Sequence, residues 1–520
     1  MSMLAPDRTA AERWLSEARR ARVLDGSGLS GSVGDPANVD IAGDLLYPGS
    51  AREAEGAVYA MLILDGDLVM GISGRKGAPK RFSGTKMKLD SGEITFCPLT
   101  PDNATALREV LPFTAPSPVA ARDLTFGTGD RLGVANAGHI QAFRRYWASP
   151  VLAQQSVREL TLTNRTYRDV LDAAVWAVFR EGYDGAWGAD GDHLKTEEWV
   201  KTALSTGYTM ITADVSDFIR GEWALKSASE VEEAWEKLDA GYRKGVEERY
   251  GGLSVPLDTG TAVRFTPEEL HRTVLIYREA VDHSARLFAA GMEVRSAAFD
   301  FELSIDETAT PTTPQAHVFM AKETGLRGVR VTSVAPRFVG EFQKAVDYAG
   351  DLKEFEESFS VHAAVARAMG HRISVHSGSD KFSAFPIIGR LTKGRFHIKT
   401  AGTSWLEALR VIAQSDRKLF RSLYAHAMKT YPSARKLYHV TPDLSRLPDP
   451  KKAPDAELAA LLDQPDGRQV LHITYGEMLS VQDFSTAIYG TLRNRRDDYE
   501  RILGDHIGRH LTLLGAQPKE

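Results

Sequence analysis

Eight short apolar runs end, one after another, in acids, bases or imidazoles, and this ladder constrains the chain more than any other feature. The first four are Leu124 to Gly127 before Asp130-Arg131, Ala186 to Ala189 before Asp190, Asp192 and His193, Tyr208 to Ala213 before Asp214, and Ser296 to Phe301 before Glu302. The later four are Val329 to Pro336 before Arg337, Ile373 to Val375 before His376, Phe396 to Ile398 before Lys399, and Val470 to Ile473 before Thr474-Tyr475. Helical stretches separate most of them, as in parallel strands closed into a barrel whose chemistry sits at the strands' C-terminal ends. The expected fold class is therefore α/β, a TIM-like (β/α)8 barrel over residues 119–520.

A barrel of this kind needs roughly 250 to 400 residues, and 520 residues leave an N-terminal segment to explain. Residues 1–118 read as an α+β or β-rich accessory domain. They begin with an amphipathic helix, then place two apolar runs, Val58 to Leu64 and Leu68 to Ile72, around Asp65-Gly66, a hairpin signal. Within the barrel, Thr166-x-x-Asp169 and Thr266-Pro267-Glu268-Glu269 mark helix starts, and Gly291 is expected to end the second of these helices. A charge-rich helical insertion around 215–262 reads as a solvated excursion, and residues 445–468 as a loop before the last strand.

With a net charge of −5 there is no global basic field for nucleic acid. No run approaches the ~20 apolar residues of a membrane span, and the N-terminus lacks a signal-peptide core. The single cysteine, Cys97, excludes an internal disulfide and a cysteine-based zinc cluster. A cytoplasmic enzyme acting on a small molecule, with homo-oligomerisation left open, is the expectation.

Two imidazoles at strand ends, His193 and His376, joined by a carboxylate from Glu302 or Glu341, form a common ligand set for a divalent zinc, nickel, manganese, iron or cobalt ion. Asp192 sits in Gly188-Ala-Asp-Gly-Asp-His193, where crowded like charges favour a cation or a raised pKa. Asp300 and Glu302 share a face of one strand, which suits metal binding, proton transfer or a bridge to Arg337. Arg337, Lys381 and Lys399 supply positive charge at the same mouth. Asp130, Arg131, Ser377 and Asp380 add polar contacts to this substrate-binding set. His397 and His472 alternate with apolar neighbours and read as layer residues, with His139 a secondary candidate.

Long strings carry a resemblance beyond any of these motifs: FGTGDRLG (126–133), GADGDHLKT (188–196), FDFELSIDET (299–308), APRFVGEFQKAVDYAGDL (335–352), ISVHSGSDKFSAFPIIG (373–389), HIKTAGTSWLEALR (397–410), HITYG (472–476) and HIGRHL (506–511). Over most of residues 119–515 the chain resembles the tagaturonate/fructuronate epimerase family of hexuronate catabolism. Two departures stand out: the family's GADADH reads GADGDH here, and its ATPGH reads Ala135-Asn-Ala-Gly-His139. The resemblance implies divalent-metal-dependent interconversion of D-tagaturonate and D-fructuronate. It implies Asp192 as proton acceptor, Glu302 as proton donor, and His193 and His376 as metal ligands with Glu341 as the third. Because the two keto acids differ at a carbon β to the ketone, retro-aldol chemistry is expected, with Arg337 or Lys399 holding the carboxylate. The rival readings are a metal-dependent 4-epimerase of tagatose and fructose or an aldolase on a related sugar, and a carbohydrate-sensing barrel.

Overall fold

The structure is a computed structural model and describes residues 11–12, 39–41, 44–64, 66–74, 78–90 and 92–519. Its strands, in chain order, are β1 Val39–Ile41, β2 Asp44–Ala54, β3 Ala57–Leu64, β4 Asp67–Gly74, β5 Thr85–Leu89, β6 Gly92–Pro98, β7 Leu124–Thr128, β8 Ser149–Ser156, β9 Gly188–Leu194, β10 Met210–Asp214, β11 Ser254–Pro256, β12 Ala262–Arg264, β13 Asp300–Ile305, β14 Ser333–Pro336, β15 Arg372–Val375 and β16 Phe396–Thr400. Strands β7, β8, β9, β10, β13, β14, β15 and β16 close into a barrel in chain order, all parallel, with β16 pairing β7. Each is wrapped by helices, so β7, β10, β13 and β16 are buried along their whole length, as both-face coverage of a parallel sheet requires.

Seven of the eight expected runs supply barrel strands, and the eighth does not. Val470 to Ile473 lies in the helix Pro465–Ile473, begun by a proline at its first turn, so the segment 445–468 leads into a helix and His472 is helical. The strand that was missing from the ladder is β8, where three apolar residues, Val151 to Ala153, are flanked by Pro150, Gln154 and Gln155. Its insertion moves His193 to the third strand and His376 to the end of the seventh. β13 starts at Asp300 and runs to Ile305, so Glu302 lies mid-strand. The capping boxes at Thr166 and Thr266 open the helices Tyr167–Glu181 and Pro267–Val294, the latter passing three residues beyond Gly291. The insertion folds as helices Ala228–Glu236 and Ala240–Tyr250 followed by the β11–β12 hairpin.

The first six strands form an antiparallel sheet in the order β1-β2-β3-β4-β6-β5. β3 and β4 pair as the expected hairpin, closing at Leu64↔Asp67; Asp65 and most of the early helix lie outside the described residues. One face of this sheet, Tyr59, Met61, Met70 and Ile72, packs into the same core as Val170, Leu171 and Val175 of the helix Tyr167–Glu181. That helix ends at Gly182 with φ 59, where a Cβ would meet the Gly49 carbonyl oxygen at 1.8 Å, so only glycine lets sheet and helix approach this closely. Among the described residues no helix is long and apolar enough to cross a membrane.

Behind β14 and β15 three buried imidazoles hydrogen-bond in series. His362 Nε2 lies 3.0 Å from the Thr312 carbonyl, its Nδ1 is 3.1 Å from His317 Nδ1, and His317 Nε2 is 2.8 Å from His371 Nε2. A carbonyl only accepts, so His362 donates from Nε2, accepts from His317, and His317 accepts from His371: all three are neutral and each tautomer follows from the next. Burial pushes His362 down to about 4, His371 to about 3 and His317 well below its ordinary value. In the unfolded chain these rings take up protons near ~6.5. The unfolded state therefore binds more protons than the folded state below that pH, and stability falls as pH falls, by roughly 1 kcal/mol per histidine per pH unit. We expect the melting temperature to drop from about pH 6 to about pH 5, with a smaller drop in His317→Gln; a flat or rising profile in both proteins would contradict neutral burial of the three rings.

Candidate active site

Lys399, at the inward face of β16, puts one ammonium near the barrel axis. Its Nζ is 2.6 Å from Asp190 Oδ2, 2.8 Å from Asp192 Oδ1 and 2.9 Å from Glu302 Oε1, and it also donates to the Thr212 hydroxyl. Two strands, β9 and β13, thus aim three carboxylates at one cation. Asp190 and Glu302 are fully buried, and burying carboxylates in this way requires compensating charge and hydrogen bonds. The three carboxylates hold Lys399 well above the usual lysine range despite the burial that opposes its charge.

Adjacent strand residues normally point to opposite faces, yet Asp192 and His193 both reach the mouth. The β9–β10 register explains this: Gly191 pairs Ile211 and Leu194 pairs Ala213, so two residues oppose Thr212 alone. This bulge, with His193 at φ 55, turns both side chains inward. His193 Nδ1 lies 2.8 Å from Asp192 Oδ1. Across the mouth, His376 Nε2 is 2.7 Å from Glu302 Oε1 and its Nδ1 is 3.1 Å from Asp306 Oδ1, with the two imidazole rings 4.8 Å apart. Ligand atoms of His193, Asp306 and His376 all lie within 4.8 Å of one another.

Burial works against each charge here, and the neighbours overrule it. Burial would raise Asp192, but the His193 and Lys399 cations hold it well below the usual carboxylate range. Glu302 is likewise held low by Lys399 and His376. Burial would lower His376, but Asp306 and Glu302 push it up to about 10, and Asp192 raises His193. Asp190 goes the other way: burial raises it, and the charges of Asp192 and Glu302 reinforce that against Lys399. Four carboxylates, one ammonium and two proton-holding imidazoles make a site that can exchange its two ring protons for one divalent cation at constant charge. Two imidazole nitrogens and a carboxylate oxygen are a donor set that such ions take.

Several expected residues are placed elsewhere. Glu341 is 42% exposed on the rim, within 3.7 Å of Arg337 and 3.5 Å of His439. Asp306 stands where the third ligand was expected, because β13 continues the inward alternation Glu302, Ser304, Asp306 for longer than the apolar run suggested. Glu302 lies beneath Lys399 and His376 and does not line the cavity. Asp300 is at the opposite end of the barrel, accepting from the Val119 and Ala120 amides, and has no bridge to Arg337. Asp130 organises its own turn, accepting from the Leu132, Gly133 and Ala135 amides. Arg131 reaches the cavity wall but is committed to Glu159, the His472 carbonyl and the Tyr475 ring. Asp380 pairs Arg468 and His506, and Lys381 donates to three backbone carbonyls, so both brace loops and neither faces the cavity. Lys399 spends its donors on carboxylates and is not free to grip an anion. Ser377 and Arg337 do line the approach.

An inner polar cavity of about 60 Å³ holds Asp192, His193, Asp306, His376 and Lys399, and it shares Asp306, His376 and Ser377 with an outer vestibule of about 390 Å³. Lys344, Arg158 and Tyr438, which sequence reasoning passed over, line both. A larger cavity of about 710 Å³ lies between the N-terminal sheet and the helical layer, lined by residues such as Leu68, Trp176 and Tyr489, with no imidazole. The two sequence departures stay clear of the chemistry. A Cβ at Gly191 would meet Leu194, Ala203 and Ile211 on the outward side, and His139 is buried within the helix Asn136–Arg145.

A family model described as tagaturonate epimerase matches residues 47–514. The chain is 38% identical over 472 residues to a tagaturonate/fructuronate epimerase of Thermotoga maritima, covering 90% of this chain and 96% of that protein. It superposes with a TM-score of 0.87 on the native crystal structure of fructuronate-tagaturonate epimerase from Cohnella laeviribosi, at 41% identity over 92% of this chain and 97% of that one. A glycerol complex of the same enzyme matches equally, covering 91% and 97%.

Replacing Lys399 by methionine strands three buried carboxylates without their cation. Breaking a buried ion pair costs about 3–5 kcal/mol, so Lys399→Met is expected to lower the melting temperature by several degrees and abolish turnover. A melting temperature within a degree of the parent would show that the carboxylates are balanced in some other way.

Proposed function

The chain belongs to the tagaturonate epimerase family and is an isomerase, and from that premise we propose that it interconverts D-tagaturonate and D-fructuronate by metal-assisted retro-aldol and aldol steps. The observation that carries the reading is the convergence of an ionised Asp192, the Lys399 ammonium and the His193–Asp306–His376 group on one enclosed polar cavity. His193, Asp306 and His376 would hold a divalent zinc, nickel, manganese, iron or cobalt ion, which when bound supplies Lewis acidity toward the ketone oxygen.

Asp192 carries the proton chemistry. Its Oδ1 is committed to His193 and Lys399, leaving Oδ2 for the substrate. With the His193 ring neutral, as ligation requires, Asp192 loses its nearest cation and gains basicity. Its carboxylate takes the hydroxyl proton from the carbon β to the ketone; the oxygen's electron pair forms the aldehyde, and the carbon–carbon bond pair passes to the ketone fragment as an enediolate. Rotation of the aldehyde by half a turn and re-addition form the same bond on the opposite face, leaving an alkoxide that needs one proton.

Glu302, the donor implied by resemblance, does not reach the cavity, but Lys399 touches both Glu302 and Asp192. Asp192 holds the proton taken in the first step and returns it to the alkoxide, while the Lys399 ammonium between Asp192 and Glu302 balances their charge. No atom or electron is gained over the cycle, and the hydrogen on the inverted carbon never leaves it.

Running the conversion in D2O to equilibrium tests this directly. The hydrogen on the inverted carbon is expected to be retained, with no deuterium there by mass and NMR analysis. Solvent deuterium at that carbon would replace the aldol route with direct deprotonation.

A further inference from the structure

The site has two cations that no carboxylate pairs. Lys344 lies in the loop after β14 with its Nζ 2.8 Å from Ser377 Oγ, and among the described residues it forms no salt bridge. Arg158, in the helix Val157–Thr163, donates to the Leu437 carbonyl at 3.0 Å and lies over the Tyr438 ring at 4.6 Å, again with no acid in pairing range among the described residues. Both line the inner cavity and the vestibule. The other nearby cations are committed: Lys399 to three carboxylates, Lys381 to carbonyls, Arg131 to Glu159, and Arg337 to Glu341. Burial and the charge of Arg158 disfavour the Lys344 ammonium more than the nearby Glu159, Glu307 and Asp192 carboxylates favour it.

The backbone around Lys344 is held against its own preference. Ala345 sits at φ 62, unusual for a residue with a Cβ. Its carbonyl accepts from Arg468 at 2.8 Å, while Lys381 donates to the Gln343 and Val346 carbonyls at 2.8 and 2.5 Å, and the Gln469 amide donates to Gln343 Oε1 at 2.8 Å. A strained turn persists only where its surroundings over-determine it. Here four bonds hold the loop so that the lysine beside the alanine stands against Ser377, the neighbour of His376.

In a six-carbon keto-uronate with its ketone at carbon 2, the inverted centre is carbon 4 and the carboxylate is carbon 6. The group that binds the carboxylate must therefore stand beside the proton-transfer groups. Lys344 and Ser377 meet that requirement, and Arg158 extends the positive wall toward the mouth.

We propose that Lys344, braced by Ser377 and backed by Arg158, binds the substrate carboxylate and sets the preference for keto-uronates over neutral ketoses, with Lys381 positioning the loop that carries it. This rests on the reading of the site as a keto-uronate epimerase. The test combines kinetics on tagaturonate with calorimetric titration of D-galactonate, an unreactive six-carbon sugar acid, for the parent, Lys344→Met and Lys344→Arg, each checked by thermal melting. Lys344→Met is expected to raise KM at least tenfold with kcat changed no more than about threefold, and to weaken galactonate binding at least tenfold; Lys344→Arg recovers part of both. An unchanged KM and galactonate affinity, or a loss confined to kcat, overturns the assignment. A parent that binds galactonate through Lys344 yet never converts tagaturonate refutes the proposed reaction and leaves the carboxylate site standing.

Discussion

One buried ammonium and the carboxylates around it govern this molecule. Lys399 meets Asp190, Asp192 and Glu302 within 2.9 Å, and a closed barrel is what makes such an arrangement possible, because strands distant in sequence deliver the acids to one axis. Four carboxylates against one ammonium leave the cluster negative, even with both imidazoles protonated. That imbalance raises His376 and His193, and it is why the mouth is suited to a divalent ion in exchange for those protons. Electrostatics, site architecture and proposed chemistry are one constraint seen at three levels.

Around that centre the protein invests in irregular backbone. A bulge in β9 brings the adjacent Asp192 and His193 to the same side, and His193, Ala345, Ser377 and Asp380 all adopt positive φ without being glycine. Each strained residue is tied to a bond that fixes it: Asp192 for His193, Arg468 for Ala345, Lys344 for Ser377, and Arg468 with His506 for Asp380. Strain of this sort gathers where geometry matters more than stability. Asp380 and Lys381 belong to this supporting layer, one joint behind the residues that line the cavity.

Much of this is legible in the amino-acid sequence. Seven of eight apolar runs are barrel strands, and Asp192, His193, His376 and Lys399 converge as their strand-end positions implied. What stayed hidden has physical causes. β8 buries Gln154 and Gln155 inside a parallel sheet, so its polar half defeats a search for apolar runs, and with it went Arg158, which follows directly. The run Val470 to Ile473 is as apolar as a strand but too short for its period to distinguish strand from helix. Asp306 was overlooked because β13 begins and ends later than its apolar stretch; extending the alternation by two residues from Glu302 reaches it. Lys344 sits in a loop whose shape is dictated by Lys381, Arg468 and Gln469 from other parts of the chain, and no local pattern announces such a contact.

His193, Asp306 and His376 are the residues proposed to hold the ion on which epimerisation depends. This assignment is tested most directly by stripping the protein with a chelator, then measuring bound zinc or manganese per chain by equilibrium dialysis alongside tagaturonate turnover. The parent and the variants His376→Ala, Asp306→Ala and Glu341→Ala are compared. One ion per chain and ion-dependent activity are expected in the parent and Glu341→Ala, with both lost together in His376→Ala and Asp306→Ala. Full activity in the stripped parent, or retained ion and turnover in His376→Ala and Asp306→Ala, would contradict the assignment.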